Sequence, residues 1–574
     1  MALDINLMIG GEAGQGVQSM GFILAKVAAR SGFEVFADQD YESRIRGGHN
    51  FFRIRICDSE VVAFSEKVDL LIALNKETID LHRHEICEDG VVIYDSDTVK
   101  DLDAEDKLLG IPLQTLAKEK AGNKIMSNTV ALGAVAYLIA FDLDTLREIL
   151  KERFGSGKMG EGNIVAAQAG FDQARERFES AVHRRLPARR NGKKMLLTGN
   201  EAMVLGALAA GCKFMAGYPM TPVTPILEGM TENAERMGVA TLQAEDEIAA
   251  ILMAIGASFA GVRAMTATSG GGFNLMVEGL GLAGMTETPV VIVEGQRPGP
   301  ATGLPTRTEQ GDLLFLLHAA HGEFPRALFA PSTPEENFWL TVKAFNIAEK
   351  YQIPVIVLTD HYMATSYWTV PKFDVSRVSI DRGLLYSPEA AGDGDYGRHR
   401  LTNNGISPRA FPGTQGIVVF TAGDEHDEYG HIIEDPGTRT AMVEKRLKKT
   451  DMIRQEMAPP KVYGPEKAEI TLLGWGSTFG AIREAVDRLC REGLSVNCCH
   501  FTEIWPFPTG AVEDVLADSN LKYMVENNAT GQLAGLLMAQ TCIRVDGTIL
   551  KYDGRPISPG YIVDKLKKEV GAGW

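Results

Sequence analysis

The feature that most limits how this chain can fold is a repeated order of apolar strand, glycine or polar turn, and helix. Residues 3–9 predict a buried strand, 10–16 a glycine loop, 17–31 a helix and 34–37 a second strand. Further apolar strands are predicted at residues 70–74, 90–94, 263–266, 290–293, 355–358 and 469–473. Strands that alternate with helices in this way form parallel sheets. The pattern therefore predicts an α/β fold.

The length of the chain and its irregular, polar segments predict a division into three α/β domains. At 574 residues the chain exceeds what one hydrophobic core supports. We predict a first domain over residues 1–184, a basic linker over 185–195, a second domain over 196–371, an irregular connector over 372–465 and a third domain over 466–574. The connector is polar and proline-punctuated, and so long a stretch is typical of a segment that lies across an interface.

Charge and cysteine spacing exclude several classes of function. The formal net charge of −17 opposes binding to nucleic acid or to an anionic membrane. The N-terminus lacks a secretion signal, and no apolar run approaches the roughly 20 residues that span a bilayer. The seven cysteines contain no Cys-x-x-Cys pair, so we expect no iron–sulfur cluster and no structural zinc on this chain. We expect a cytoplasmic protein.

Three polar or glycine-rich motifs in the second domain mark its expected site. They are YPMTP at residues 218–222, QAEDE at 243–247 and ATSGGGFN at 267–274. In open parallel sheets, ligands bind outside the carboxyl ends of the strands, where such motifs lie. Glu247 precedes five apolar residues and should be poorly solvated, which would let it share a proton with a ring nitrogen. Glu245 is its rival, and a glutamate at a helix start can also be only a favourable charge near the helix dipole.

These motifs, with QRPGPATGLPTRTEQGD at residues 296–312, resemble the alpha chains of the 2-oxoacid:ferredoxin oxidoreductases. The resemblance covers almost the whole chain and implies a gamma-like domain, a thiamine diphosphate pyrimidine-binding domain, a connector and a transketolase C-terminal-like domain. GWGST at 474–478, WPFP at 505–508 and VENNATGQL at 525–533 carry it in the last domain. This order is that of a fused gamma–alpha chain.

The resemblance assigns roles in a half-site for thiamine diphosphate. It implies that Glu247 activates the cofactor, that Tyr218, Pro219 and Ser269 also bind it, and that Thr221 hydrogen-bonds the 2-oxoacid. Arg307 takes the place of the cation near the 1-carboxylate of the substrate, with Arg297 in a structural role. His426 and His431 lack a third ligand at metal spacing, which favours a structural or interface role for them.

The first domain offers two further candidate sites. In YESRIRGGHN, at residues 41–50, Arg46 stands at the position where the family has a cation that reaches the outer end of the substrate. A guanidinium group there would suit a substrate with a second carboxylate. The alternative is a surface arginine in an ordinary turn, and Glu42 departs from the family's usual proline. Gly11, Gly14 and Gly16 miss the dinucleotide-binding spacing, but a helix start behind glycine amides attracts phosphate. Phosphates of coenzyme A are the candidate ligand, and a turn without a ligand is the alternative.

The remaining parts of the site are expected on a second chain. Residues 392–394 and 403–404 imitate the family's magnesium-binding motif, but their spacing is too short. Mg²⁺, the cofactor diphosphate and a [4Fe-4S] cluster are therefore expected on a beta subunit, with ferredoxin as electron acceptor and a dimer of alpha–beta heterodimers as the assembly. The basic linker is interpreted as a solvated connection, the alternative being a docking strip for an acidic ferredoxin.

The expected activity is that of 2-oxoglutarate:ferredoxin oxidoreductase, also called 2-oxoglutarate synthase. By family analogy the cofactor carbanion attacks the keto carbon, carbon dioxide leaves, two single electrons pass to the partner's cluster, and coenzyme A takes the acyl group. The reaction can run toward carboxylation. A pyruvate or branched-chain 2-oxoacid enzyme of the same family is the alternative. A noncatalytic acyl-CoA-binding scaffold subunit is the alternative from another class.

Overall fold

The structure is a computed structural model that describes residues 3–43, 47–100, 102, 107–178, 186, 194–387, 395–517 and 519–571. The chain divides into two compact units, Met1–Thr198 with Thr365–Lys372, and Gly199–Ala364 with Phe373–Trp574. One sheet lies in the first unit and two lie in the second, so the predicted α/β class is confirmed. The predicted domain bounds at residues 184, 195, 371 and 465 stay predictions. No helix in these ranges is both long and apolar enough to cross a bilayer.

The part of the chain before residue 199 alternates strands and helices from its start. Its strands are β1 (Asp4–Glu12), β2 (Glu34–Asp40), β3 (His49–Cys57), β4 (Val68–Ala73), β5 (Ile86–Asp95), β6 (Leu108–Ile111) and β7 (Met195–Thr198). Its helices are α1 (Val17–Arg30), α2 (Lys76–His82), α3 (Leu113–Ala121), α4 (Ser127–Leu138), α5 (Leu143–Phe154) and α6 (Lys158–Arg177), with 3-10 turns at Arg83–Glu85 and Lys124–Met126.

The middle of the chain continues the alternation up to the connector. Its strands are β8 (Phe214–Gly217), β9 (Ala240–Gln243), β10 (Ala264–Ser269), β11 (Val290–Gln296), β12 (Ala327–Phe329), β13 (Pro354–Asp360) and β14 (Tyr367–Val370). Its helices are α7 (Gly199–Ala209), α8 (Thr224–Glu232), α9 (Ala234–Met237), α10 (Glu247–Phe259), α11 (Gly270–Met285), α12 (Leu313–His318), α13 (Pro334–Tyr351) and α14 (His361–Thr365), followed by a 3-10 turn at Val375–Arg377.

The last part of the chain begins with a long helix in the connector. Its helices are α15 (Pro436–Glu456), α16 (Phe479–Arg491), α17 (Thr509–Leu516), α18 (Gln532–Thr541) and α19 (Pro559–Gly571), with a 3-10 turn at Gly476–Thr478. Its strands are β15 (Lys461–Tyr463), β16 (Ile470–Trp475), β17 (Val496–Phe501), β18 (Glu503–Trp505), β19 (Leu521–Glu526) and β20 (Gly547–Leu550).

The first sheet is mixed, in the order β6-β5-β4-β1-β3-β2-β14-β7. The predicted parallel arrangement holds for β1, β4, β5 and β6, whereas β3 is antiparallel to both β1 and β2. The connection from β2 to β3 spans only residues 41–48, which is too short for a crossover helix, so the chain turns back on itself.

The two sheets of the second unit are mostly parallel. Their orders are β18-β12-β13-β11-β10-β8-β9 and β15-β17-β16-β19-β20. Only β18 and β15, at the edges, run antiparallel to their neighbours. Strands β10, β11 and β13 are buried along their whole length, because helices cover both faces of the sheet. The carboxyl ends of β8, β9, β10 and β11 consequently meet at one edge, where the polar motifs of the sequence lie.

Candidate functional site

Glu247 is the first residue of α10, at the edge where the strands of the larger sheet in the second unit end. Its side chain is buried, with only 3% of the residue exposed. The Oε1 atom has no hydrogen-bond partner among the residues that the structure describes. A buried carboxyl oxygen without a partner is costly, and a ring nitrogen of a bound ligand would satisfy it.

The three consecutive acids of the motif have three different environments. Glu245 is exposed to solvent. Asp246 caps α10, since its carboxylate accepts a hydrogen bond of 2.7 Å from the backbone N–H of Ala249. Only the side chain of Glu247 is directed into the protein. The geometry thus favours Glu247 over Glu245 as the acid that can meet an aminopyrimidine.

The YPMTP turn follows β8 directly and lies beside the end of β10. The hydroxyl of Ser269, a fully buried residue, donates to the sulfur of Met220, which joins the turn to the start of α11. Tyr218 and Pro219 are exposed, and Thr221 is half-buried. The structure therefore brings the Tyr218–Thr221 segment and Ser269 together, as expected for one site.

Arg297 is a structural support of that turn. Its Nη1 atom donates a hydrogen bond of 3.0 Å to the backbone oxygen of Thr221. Arg307, on the same 296–312 segment, is half-buried and packs against the backbone of Gly554. Burial lowers the pKa of the nearby His361 to about 4, and the positive charges of Arg307 and Arg297 add to that effect. The two arginines therefore lie close enough to His361, which follows β13, for their charges to act on it.

Three acids near the same edge were not singled out from the sequence: Glu294 and Asp360 are buried, and Asp312 is half-buried. Glu294 lies on β11, Asp360 ends β13, and Asp312 precedes α12. Burial raises the pKa of Asp312 to about 6, and it raises the pKa of Glu294 well above its usual value, with the charge of Asp312 adding to the effect on Glu294. Burial and the charge of Asp312 consequently both favour the protonated form of Glu294. The only signal in the sequence is an acid near the end of a strand, for Glu294 and Asp360, or at the start of a helix, for Asp312.

The 296–312 segment is also tied to the last sheet. The backbone N–H of Gln310 donates to the oxygen of Asn527, and the N–H of Asn527 donates back to Oε1 of Gln310, at 2.7 and 2.9 Å. The side-chain amide of Gln310 donates to the backbone oxygen of Trp475. The GWGST and VENNATGQL motifs thus act in this structure as supports for the segment that carries Arg307.

In the first unit, the glycine loop lines a cavity of about 370 Å³. Gly14 and Gly16 have φ values of 91° and 83°, a left-handed conformation that favours glycine. Gly14 and Gln15 line the cavity together with Asn75, Lys76 and Asn128. Gly11 lies behind the loop and packs against Gln15 and Leu74. Asp95 also lines the cavity, and the Lys76 ammonium group forms an ion pair with Asp80 at 2.9 Å. The ammonium group and the amides at the ends of the parallel strands still offer donors to a phosphate-bearing ligand.

Several predicted features lie outside the described residues. Arg46 is among them, as are residues 392–394 and, apart from residues 186, 194 and 195, the predicted linker. Among the described residues, no group of three or more His, Cys, Asp or Glu side chains is arranged to hold a metal ion.

The connector histidines have unequal environments. His426 is fully buried, with its ring 4.0 Å from that of His399, whereas His431 is exposed. The neighbouring Glu425 forms ion pairs with Arg439 and Arg446 of α15. These contacts join the EHDEYGH segment, residues 425–431, to the helix of the connector, and they agree with a structural role for that segment.

Family models match most of the chain. The model described as "Pyruvate flavodoxin/ferredoxin oxidoreductase, thiamine diP-bdg" matches residues 205–445. "Pyruvate ferredoxin/flavodoxin oxidoreductase" matches residues 6–173, and "Pyruvate:ferredoxin oxidoreductase core domain II" matches residues 468–559. The half-site of the second unit thus lies within a thiamine diphosphate-binding region.

Individual relatives align over nearly the full chain. Subunit alpha of 2-oxoacid:ferredoxin oxidoreductase 2 from Aeropyrum pernix is 33% identical, with 100% of this chain and 98% of the relative covered. The 2-oxoglutarate oxidoreductase subunit KorA of Mycobacterium tuberculosis is 30% identical, with 94% and 88% covered. A solved structure of 2-oxoglutarate:ferredoxin oxidoreductase from Magnetococcus marinus, with 2-oxoglutarate, coenzyme A and succinyl-CoA bound, matches with a TM-score of 0.92, 33% identity and 99% of each chain covered.

Proposed function

The chain belongs to the alpha subunits of the 2-oxoacid:ferredoxin oxidoreductases, and from that premise we propose that its enzyme acts on 2-oxoglutarate. The proposed reaction converts 2-oxoglutarate, coenzyme A and oxidised ferredoxin to succinyl-CoA, carbon dioxide and reduced ferredoxin, and it is reversible. The observation that carries the catalytic role is the buried Glu247 carboxyl, whose Oε1 atom has no partner among the described residues.

The residues at this edge fit the pyrimidine end of thiamine diphosphate. When bound, the cofactor supplies a carbanion at its thiazolium carbon. We propose that Glu247 shares a proton with the aminopyrimidine ring, and that Tyr218, Pro219 and Ser269 bind the cofactor around it. Thr221 is proposed to hydrogen-bond the 2-oxoacid, in a turn that Arg297 keeps in place.

The substrate assignment depends on two cations. Arg307 is proposed to attract the 1-carboxylate, and its charge already acts on the nearby His361. Arg46 is proposed to hold the second carboxylate, which only a dicarboxylate has. Relatives named for 2-oxoglutarate favour this choice over pyruvate or a branched-chain 2-oxoacid.

Coenzyme A is proposed to bind in the cavity of the first unit. Lys76 and the amides of the glycine loop, including that of Gly14, would meet its phosphates. Gly11 and Gly16 would shape the loop. The Magnetococcus marinus structure was solved with coenzyme A bound, which supports the choice of ligand. We also propose that the gamma-like domain that contains this cavity ends near residue 184.

A beta subunit is proposed to complete the site with Mg²⁺, the diphosphate pocket and a [4Fe-4S] cluster. The support is an apolar surface next to Glu247, formed by side chains that are each at least 38% exposed: Tyr218, Leu242, Ile248, Leu252, Met253 and Leu275. A surface of this kind marks a protein–protein contact. Ferredoxin as electron acceptor, a dimer of alpha–beta heterodimers and a cytoplasmic location complete the proposal.

Replacing one acid of the QAEDE motif at a time in the complex with the partner chain tests the catalytic role. Glu247→Gln should lower 2-oxoglutarate-dependent ferredoxin reduction at least about 100-fold, because glutamine cannot share the proton. Glu245→Gln, the matched control two residues away, should stay within about twofold of wild type. Undiminished turnover in Glu247→Gln would favour the noncatalytic scaffold.

The choice of substrate has its own test. Arg46→Ala should reduce kcat/KM for 2-oxoglutarate on the order of 100-fold, because the second carboxylate loses its ion pair. The value of kcat/KM for pyruvate, which has no second carboxylate, should stay within about threefold of wild type. Equal losses on both substrates would remove the case for the dicarboxylate.

A further inference from the structure

The cation proposed for the 1-carboxylate packs against a turn of the last sheet. This turn, residues 551–555, follows the edge strand β20, and its Gly554 is buried. A Cβ atom added at Gly554 would lie 3.2 Å from Cβ of Arg307 and 3.5 Å from its Cγ. The inner half of the Arg307 side chain therefore lies against the backbone of the turn.

Leu304 meets the same glycine. Its Cδ1 atom would also lie 3.2 Å from the added Cβ atom, and its backbone oxygen accepts a hydrogen bond of 3.1 Å from the N–H of Arg307. Any larger residue at position 554 would thus shift one of these two side chains by a few tenths of an ångström. Gly554 also has a φ of 76°, a left-handed conformation that favours glycine. Both the contact and the backbone conformation consequently favour glycine at this position.

The residue after Arg307 is bound to the turn as well. The backbone N–H of Thr308 donates to the oxygen of Gly554 at 3.4 Å. Its hydroxyl donates to Oδ1 of Asp360 at 3.2 Å and accepts from the backbone N–H of Tyr362, also at 3.2 Å. Thr308 therefore connects the turn to the end of β13, and the backbone that carries Arg307 is held from both.

The turn itself is anchored at its base and closed by one of its own side chains. The amide of Asn527 donates to the backbone oxygen of Lys551 at 2.6 Å, and the N–H of Lys551 donates to the oxygen of Glu526 at 3.1 Å. The carboxylate of Asp553 accepts from the N–H of Arg555 at 3.0 Å and forms an ion pair with Lys551. The turn is thus a fixed surface for Arg307 to pack on.

Such support matters for a cation that binds a carboxylate. A guanidinium holds a carboxylate best with two parallel N–H groups, which requires a defined orientation of a long side chain. A free arginine loses much rotamer freedom when it adopts that orientation. Packing of Cβ and Cγ of Arg307 on Gly554 restricts part of this freedom before the substrate binds, which favours binding.

We propose that the turn at residues 551–555 positions Arg307 for the 1-carboxylate of the 2-oxoacid, with Gly554 as the positioning residue. The proposal rests on the proposed function, in which Arg307 binds that carboxylate. It gives the last sheet a role in substrate binding. Because every 2-oxoacid has a 1-carboxylate, the effect applies equally to 2-oxoglutarate and pyruvate, unlike the effect proposed for Arg46.

Steady-state kinetics of the complex of the chain with its partner test the proposal. Gly554→Ala should raise KM for both 2-oxoacids about fivefold and leave kcat within about twofold, because it weakens a contact made equally in the ground state and the transition state. In an Arg307→Ala background, the same substitution should change KM less than about twofold. The cation that it displaces is already absent there, so the two effects do not add.

Gly493→Ala is the matched control for backbone strain. Gly493 has a φ of 95°, but no atom lies within 4 Å of an added Cβ atom. This variant should lower the melting temperature about as much as Gly554→Ala does and leave KM unchanged. Gly554→Asn separates contact from strain, because asparagine adopts the left-handed conformation more readily than alanine. It should be more stable than Gly554→Ala and show the same rise in KM.

A second variant keeps the test decisive if the Gly554 variants do not assemble. Asp553→Ala opens the turn at a side chain that is 62% exposed, so it should fold and raise KM for both 2-oxoacids about threefold at unchanged kcat. The outcomes that overturn the inference are specific to it. Wild-type KM in Gly554→Ala and Asp553→Ala, or a KM rise from Gly554→Ala that is as large without Arg307 as with it, would remove the role of the turn alone. Wild-type KM in Arg307→Ala would instead remove the proposed role of Arg307 itself.

Discussion

The carboxyl of Glu247 lies directly against the backbone of Gly272. A methyl group on Gly272 would lie 2.6 Å from Oε1 of Glu247 and 2.0 Å from the hydroxyl oxygen of Thr268. Both distances are shorter than any stable carbon–oxygen contact. The first turn of α11 therefore borders the space that holds the Glu247 side chain. In the SGGG sequence, residues 269–272, a larger residue than glycine at position 272 would clash with that side chain.

Gly272→Ala should displace the acid and so inactivate the complex. Because neither Glu247 nor the buried Thr268 can yield without repacking, we expect about 1–3 kcal/mol less stability and roughly 100-fold lower turnover. Gly271→Ala is the matched control, since its nearest neighbour is a backbone oxygen at 3.9 Å. It should leave turnover unchanged and not lower the melting temperature. Thermal unfolding and ferredoxin-reduction assays measure the stability and turnover of both variants. Wild-type turnover and stability in Gly272→Ala would show that the Glu247 side chain has room to move.

The half-buried Asp312 should make stability depend on pH in an unusual direction. Its pKa is raised by burial from 3.8 to about 6, so between these values the folded state binds more protons than the unfolded state. Stability attributable to this group therefore falls as pH rises through that window and levels off above about pH 6. Relative to wild type, Asp312→Asn should become more stable by roughly 1 kcal/mol between pH 5 and 7.

Denaturant unfolding at a series of pH values measures this difference. Asp451→Asn, with a side chain that is 77% exposed, serves as the control and should show a difference from wild type that does not vary with pH. A flat profile for Asp312→Asn would mean that Asp312 ionises as freely in the folded protein as in the unfolded chain.

The fold was largely predictable because each strand signal is local. Apolar runs of four to seven residues placed β1, β4, β11, β13 and β16 within a few residues of their observed bounds. The insertion of β3 between β1 and β2 was not predictable, since it depends on which strand edge the returning chain meets. Which strands pair with each other depends on contacts between residues that are far apart in the sequence. A local sequence pattern therefore does not predict the strand order.

The candidate site was predictable in its motifs but not in its interior. The spacing of the motif singled out Glu247. The different environments of Glu245, Asp246 and Glu247 depend on where α10 begins and on how it packs against α11. The acid pair of Glu294 and Asp312 depends on how the 296–312 segment folds back over β11. Each acid alone looks like an ordinary polar residue at the end of a strand or the start of a helix.

Glu287 should be the main electrostatic support of the connector. Its buried carboxylate forms ion pairs with the buried Lys445 and Lys449 of α15 and accepts from Nδ1 of His399 at 3.1 Å. Burial would raise its pKa, but the two ammonium groups outweigh burial and hold the pKa well below its usual value of 4.5. Removing the charge leaves two buried cations unpaired, so Glu287→Gln should cost about 3–5 kcal/mol of stability.

Chemical denaturation and its pH dependence test this support. Glu278→Gln, on the exposed side of α11, should change stability by less than about 0.5 kcal/mol. Because the folded-state pKa of Glu287 is depressed, the contribution of its carboxylate is present above the unfolded value of 4.5 and should be lost as the pH falls through the folded-state pKa. A Glu287→Gln variant with wild-type stability would show that the lysines are neutral or solvated.

The apolar surface beside Glu247 should be covered by the partner chain. Leu252 on α10 is 38% exposed, one helical turn from Ile248, which is 46% exposed. A charge placed in the centre of a contact surface must be desolvated on association, so Leu252→Glu should weaken binding of the partner at least about 100-fold. Because Leu252 already faces water in the separate chain, the variant should fold as wild type does.

Val375→Glu, at a residue that is 64% exposed and distant in sequence, is the control for adding one negative charge. Size-exclusion chromatography of the mixed chains distinguishes the outcomes. If Leu252→Glu still assembles like the control, the partner covers another face, and the Glu247 half-site must be completed without contact at α10.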